Sequence, residues 1–314
     1  MEGRPIFIVA GVGTATGTGA AAACVTLSFD LEIGVLCLTL TFVNQFIRRE
    51  FSRALNYRVA LVARRLKDLQ TIADEINAAG GEAFPFPLKA YTREEIVAVF
   101  QAVRKKWPDS RIKAALWNAS QWSRIPFLDV KEEDIQMSVQ INIVAAFAWS
   151  QEAIKAMLEP GRSQSTSPGS QPGGTLLFTG ATSSTRGAAS FATFAAGKHG
   201  LRALSQSLAR EFGNQGIHVA HVVIDGTILT RTIQRMFGGK KQVVQTPGET
   251  DDDVNWLEDP SRRLDPASIA KASGVSLLQR ELFLTRQQAY VYLHQQDKSA
   301  WTLELDMRPA KEHF

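Results

Sequence analysis

The chain has 314 residues, of which 45% are hydrophobic and 21% charged, and a formal charge of +4. That suffices for one large α/β domain with a sizeable core, and the mild, interspersed charge argues against nucleic acid as a partner. With only two cysteines, Cys24 and Cys37, neither a disulfide framework nor a zinc-ligand spacing is present.

Residues 1–9 carry Glu2, Arg4 and Pro5 before a short apolar run, which is not the pattern of a signal peptide. The apolar stretch 33–43 has about half the length of a membrane span. We therefore expect a soluble, cytoplasmic protein with no membrane partner. In chain order, 5–10 reads as a buried strand and 58–63 ("RVALVA") as a second. Residues 65–79 show Leu66, Leu69, Ile72, Ala73 and Ile76 at helical spacing, closed by Gly80-Gly81. A third strand is expected at 82–87, a helix at 93–107 ending before Pro108, and a fourth strand at 112–117. A long helix follows at 131–158, then a strand at 175–179, a second long helix at 188–214, a strand at 218–224 and a last strand near 301–305. Such alternation implies a parallel sheet with helices on both faces. Two segments read as loops: the Ser/Gly/Pro-rich 161–174 and the stretch 238–263, with its acidic run 251–253.

The segment "IVAGVGTATGTGAAAA" (8–23) follows the first strand. Gly13, Gly17 and Gly19 give G-x-x-x-G-x-G, and Gly11 is an alternative first glycine. Glycines there let the backbone approach a pyrophosphate and let the next helix present its N-terminal N–H groups, so this is a dinucleotide-site pattern. The second strand ends at Ala63, followed by Arg64 and Arg65. An NAD site places a carboxylate at this point for the ribose 2′-hydroxyl. Guanidinium groups suit a 2′-phosphate, so the pair favours NADP over NAD.

With these residues in place, the chain resembles the short-chain dehydrogenase/reductase family over most of residues 5–230. Beyond the glycine loop, the likeness is carried by "LWNAS" (116–120), "SVQIN" (138–142), Lys198 and "IDGTILT" (224–230). The resemblance implies a Rossmann-type, doubly wound, mainly parallel seven-stranded sheet in a single domain. It implies hydride transfer between NADP and a small carbonyl or alcohol substrate. It assigns Asn118 and Thr227 to the cofactor and Asn142 to a proton relay. Lys198 would bind the cofactor ribose and tune the catalytic Tyr. Pairing of the long helices at 131–158 and 189–214 would make a homodimer or homotetramer.

The chain departs from the family where proton transfer happens. Phe194 stands where the family has its Tyr, four residues before Lys198, and a phenyl ring has no proton to give. Tyr57, Tyr91, Tyr290 and Tyr292 are followed four residues later by Leu, Glu, His and Gln, so none restores the motif. The usual Ser offset falls on Ala181, with Thr182 and Ser183 adjacent as substitutes. Asp225 replaces a Pro. The expected function is therefore oxidoreduction with an altered proton donor, involving Thr182, Ser183 or Lys198; the alternative is an NADP-binding protein without turnover. Residues 24–49 and 272–288 fit no family pattern, and reading across either restores one. They are either retained non-coding sequence or divergent insertions.

Overall fold

Successive side chains of a strand point to opposite faces, so a strand that is apolar throughout must be covered on both sides. Strand β1 (Ile6–Ala10) does this: Ile6, Ile8 and Ala10 enter one core while Phe7 and Val9 enter the other. The computed structural model describes residues 3–11, 52, 55–159, 173–226 and 289–308. Gly13, Gly17, Gly19, Cys24, Cys37 and Thr227 lie outside the described residues, as do the segments 24–49, 161–172, 238–263 and 272–288.

Strands β2 (Arg58–Ala63), β3 (Glu82–Pro87), β4 (Ile112–Trp117), β5 (Gly174–Thr179), β6 (Ile217–Ile224) and β7 (Glu304–Met307) complete a seven-stranded sheet. The order is β3-β2-β1-β4-β5-β6-β7 and every neighbouring pair is parallel. This is the doubly wound arrangement, reversing direction between β1 and β4, where ligands bind such sheets.

Helices cover both faces. On one side lie α1 (Leu66–Ala78), burying Leu69, Ile72, Ala73 and Ile76, and α6 (Ala289–Gln295). On the other lie α2 (Arg93–Lys106), α3 (Glu132–Val139), α4 (Ala145–Leu158) and α5 (Ala192–Phe212). The ends of α2 follow from its sequence. The Thr92 side chain accepts from the Glu95 N–H, Glu94 and Glu95 occupy the first turn, and Arg104, Lys105 and Lys106 the last, each sign opposing the helix dipole. No described helix is long and apolar enough to cross a membrane.

Three expectations need correction. The helix foreseen over 131–158 is interrupted: residues Gln140–Val144 form a π-turn, in which Ala145 N–H reaches back to Gln140 O. Helix α5 starts at Ala192 rather than 188, because Phe191 N–H closes a turn on Ala188 O and Ser190 adopts φ +65°. Strand β7 begins at Glu304 instead of near 301. Trp301 stacks on His218 at 5.0 Å and donates to Gln296 O, and Thr302 is held by the Gln296 side chain, so these residues belong to the connection.

Candidate active site

The carboxyl ends of β1 and β4 meet at the reversal of strand order. Gly11 follows β1 with φ +83°, and its N–H donates to Val62 O. A Cβ there would lie 2.4 Å from Ala119 N, so only glycine allows the chain after β1 to pass this close to the end of β4. Asn118 is buried beside it, with its N–H on Ala10 O.

At the end of β2 the two arginines separate. Arg65 pairs with Asp68 one helical turn on, at 2.8 Å. Arg64 is exposed, its guanidinium 5.9 Å from the centre of the Tyr91 ring. Of the two, Arg64 is the cation held over the crevice side of β3 and α2 without a carboxylate partner among the described ion pairs.

Lys198, on α5, is fully buried and its ammonium donates to Thr179 O at 2.8 Å, at the last residue of β5. Burial pushes its pKa down to about 7, because the charged form loses its hydration. Its Nζ lies 5.9 Å from the ring of Phe194, which is 1% exposed. Among the described residues, then, the Tyr position is filled by a packed phenyl ring. Tyr290 does not replace it. Its hydroxyl bonds Thr179 Oγ1, on the face of the sheet that α1 and α6 cover, away from α5.

Asn142 sits at the centre of the π-turn, and such turns often mark functional sites because they wedge a side chain out of the regular helix. It is fully buried. Its Oδ1 accepts from Ser120 Oγ at 2.9 Å, and its Nδ2 donates to Ser138 Oγ at 3.2 Å and weakly to Gln121 O. Ser138 Oγ in turn donates to Thr193 O on α5. Gly197 makes this junction fit: a Cβ there would lie 2.7 Å from both Asn142 Nδ2 and Ser138 Oγ. Asn142 thereby links the loop after β4 to α5, on the same side of the sheet as Lys198.

The two hydroxyl candidates differ. Ser183 is buried, whereas Thr182 is half-exposed at the mouth beyond β5. Thr182 Oγ1 donates to Asp225 Oδ1 at 2.6 Å. Asp225, just past β6, is 2% exposed and faces Arg308 at 3.3 Å and Arg186 at 3.7 Å. In sequence Asp225 is visible only as a departure from Pro, directly after the apolar run Val222, Val223 and Ile224. Ser138 was legible as the i−4 neighbour of Asn142 on a helix. His221 on β6 was not foreseen. It is fully buried, neither ring nitrogen has a hydrogen-bond partner among the described residues, and burial and Lys198 push its pKa down to about 3, so the ring is neutral. His199 bonds Ala195 O through Nδ1.

Comparison with known proteins bears on this site. The family model described as short chain dehydrogenase matches residues 49–239. A 3-oxoacyl-[acyl-carrier-protein] reductase of Mus musculus is 27% identical over 175 residues, covering 55% of this chain and 66% of that protein. A short-chain dehydrogenase from Rhodopseudomonas palustris aligns over 98% of this chain and 100% of its own, at 25% identity and TM-score 0.61. L-sorbose reductase from Gluconobacter frateurii, solved with NADPH and L-sorbose, shares the fold, with TM-score 0.67 and 14% identity over 99% of this chain and 98% of its own.

Proposed function

Since the chain belongs to the short-chain dehydrogenase family, we propose that it is an NADP-dependent oxidoreductase of a small carbonyl or alcohol substrate in which a group other than Tyr handles the proton. The observation that carries this reading is the buried Lys198, whose ammonium is fixed on Thr179 O beside Phe194, with Asn142 held by Ser120 and Ser138 on the same side of the sheet. A buried, uncompensated lysine costs stability, and a cofactor sugar and phosphate would supply the polar partners that offset it.

The described residues fit a nicotinamide dinucleotide: Gly11 lets the chain after β1 pass against the end of β4, Lys198 would hold the ribose, and Arg64 would face a 2′-phosphate. Gly13, Gly17, Gly19 and Thr227 would complete the same cradle, and Arg65 would keep helix α1 opened toward it through Asp68. When bound, the nicotinamide gives or accepts the hydride. The chain's own residues do the rest. Lys198 sets the local charge near neutrality, Asn142 holds the proton path between the loop after β4 and α5, and Thr182 offers the only half-exposed hydroxyl of the 182–184 turn. We further propose a homodimer or homotetramer. The helix running from α3 into α4 exposes Ile135, Met137, Val139, Val144 and Phe147, an apolar surface of the kind that pairs across a two-fold axis.

A second reading, favoured by the proton-free ring of Phe194, is cofactor binding without turnover. Phe194→Tyr separates the two. With an alternative donor, the native chain turns over members of a ketone and aldehyde panel with NADPH, and the substitution changes kcat less than tenfold. A native chain without turnover that gains it on substitution overturns the altered-donor reading in favour of the second.

A further inference from the structure

The hydroxyl of Thr182 has one proton, and Asp225 Oδ1 takes it at 2.6 Å. The carboxylate is held in place from two other elements: Arg186 follows the 182–184 turn, and Arg308 follows β7, where it also pairs with Asp306. These two guanidiniums are the charged groups that face Asp225 among the described ion pairs. Thr182 cannot turn its O–H elsewhere without breaking its bond to this carboxylate. What remains on the half-exposed side of Thr182 Oγ1 is lone pairs.

We propose that Asp225 fixes Thr182 as a hydrogen-bond acceptor for a substrate hydroxyl and serves as the end of its proton path when an alcohol is oxidised. The proposal rests on the dehydrogenase reading above. As the carbinol C–H leaves as hydride to an oxidised nicotinamide nucleotide, the substrate O–H proton passes to Thr182 Oγ1. Thr182's own proton passes to Asp225 Oδ1, and the electrons of the substrate O–H bond close the C=O. Charge balances: a neutral alcohol, a carboxylate and a cationic nicotinamide become a neutral carbonyl compound, a carboxylic acid and a neutral dihydronicotinamide. Thr182 touches the substrate, and Asp225 is the positioning residue that sets its polarity. A phenol at position 194 is then unnecessary.

The test uses the full chain with NADP+ and two probes of opposite polarity: trifluoroethanol, an O–H donor too electron-poor to yield hydride, and isobutyramide, whose carbonyl accepts. Binding of trifluoroethanol is followed by ¹⁹F NMR and binding of isobutyramide by its displacement of trifluoroethanol. NADP+ binding is measured first through tryptophan fluorescence. The native complex should bind trifluoroethanol in preference to isobutyramide. Thr182→Ser should keep that preference, and Thr182→Val should weaken trifluoroethanol at least fivefold. Asp225→Asn, which can donate to Thr182 and free its proton, should narrow the preference at least fivefold. Should Asp225→Asn fail to fold beside two unpaired arginines, the Thr182 pair decides alone. A native complex that binds NADP+ but not trifluoroethanol, or variants with unchanged preference, overturns the proposal. A chain that binds no NADP+ overturns instead the dehydrogenase reading beneath it.

Discussion

At the scale of single residues, the site is built from groups whose burial works against their charge. Lys198 is the clearest. Its pKa is about 7 in the folded chain, against 10.5 for a free lysine. Between those values the unfolded chain holds a proton that the folded chain releases, so stability rises with pH through that window and is lowest at and below pH 7. Lys198→Met removes the penalty while keeping the volume of the stem. We expect a higher thermal midpoint for the cofactor-free variant, with the gain larger at pH 6.5 than at pH 9. A midpoint lower than native at pH 6.5 would mean that the bond to Thr179 O outweighs desolvation. Phe194, Lys198 and the tripeptide around Asn118 were legible because residue identity and spacing alone locate them. The partners of Asp225 were not, since Thr182 and Arg186 follow β5 and Arg308 follows β7, and only the fold assembles them around it.

At the scale of elements, the junction of the π-turn with α5 joins structure to function. Regular helical periodicity predicted one uninterrupted helix over 131–158, and the apolar pattern gives no hint of the extra residue. The cause is tertiary: Asn142 must bond Ser120, Ser138 and the loop after β4 together while Gly197 of α5 presses on it. Gly197→Ala places a methyl group 2.7 Å from two hydrogen-bonded side-chain atoms. Overpacking of this kind costs about 1–3 kcal/mol. We expect a loss in that range in urea unfolding, together with a drop in kcat exceeding any change in cofactor affinity, because Asn142 shifts while Lys198 stays. The strands were legible for a simpler reason. β2 and β4 are short runs flanked by turn residues, and a strand buried on both faces has no polar alternation to misread. β7 was misplaced by three residues because Trp301 is drawn onto His218, a contact no local pattern reveals.

At the scale of the whole molecule, two histidines tie α6 and β6 to the sheet, and a third is buried on β6. His218 bonds Leu293 O and Thr302 O, His294 bonds Tyr57 and Thr175, and His221 lies beneath the site. Burial lowers the pKa of all three, to about 4 for His294 and about 3 for His221. The unfolded chain takes up these protons near pH 6.5, and the folded chain resists until lower pH. Stability therefore falls as pH drops below about 6.5, by roughly 1.4 kcal/mol per histidine per pH unit where only the unfolded form is protonated. Glu304, held by Arg202 and Gln206 with its pKa down to about 2, adds a loss of the same sign below about pH 4.5. Thermal melts at pH 7, 6 and 5 should show a progressive fall; a flat profile would show that the histidines take protons in place. The doubly wound sheet and its reversal point follow from alternating strands and helices, and they explain why distant segments converge on one crevice. The family match begins at residue 49, where the unusual stretch 24–49 ends, so the similarity found runs from that junction onward.

Nucleotide recognition underlies every other inference, and titration of NADPH and NADH into the native chain, Arg64→Ala and Lys198→Met measures it most directly. We expect saturable binding with NADPH preferred, the preference lost in Arg64→Ala, and both nucleotides weakened at least tenfold in Lys198→Met. Absence of binding to the native chain, or binding indifferent to Lys198, would contradict the assignment of this crevice to a nicotinamide dinucleotide.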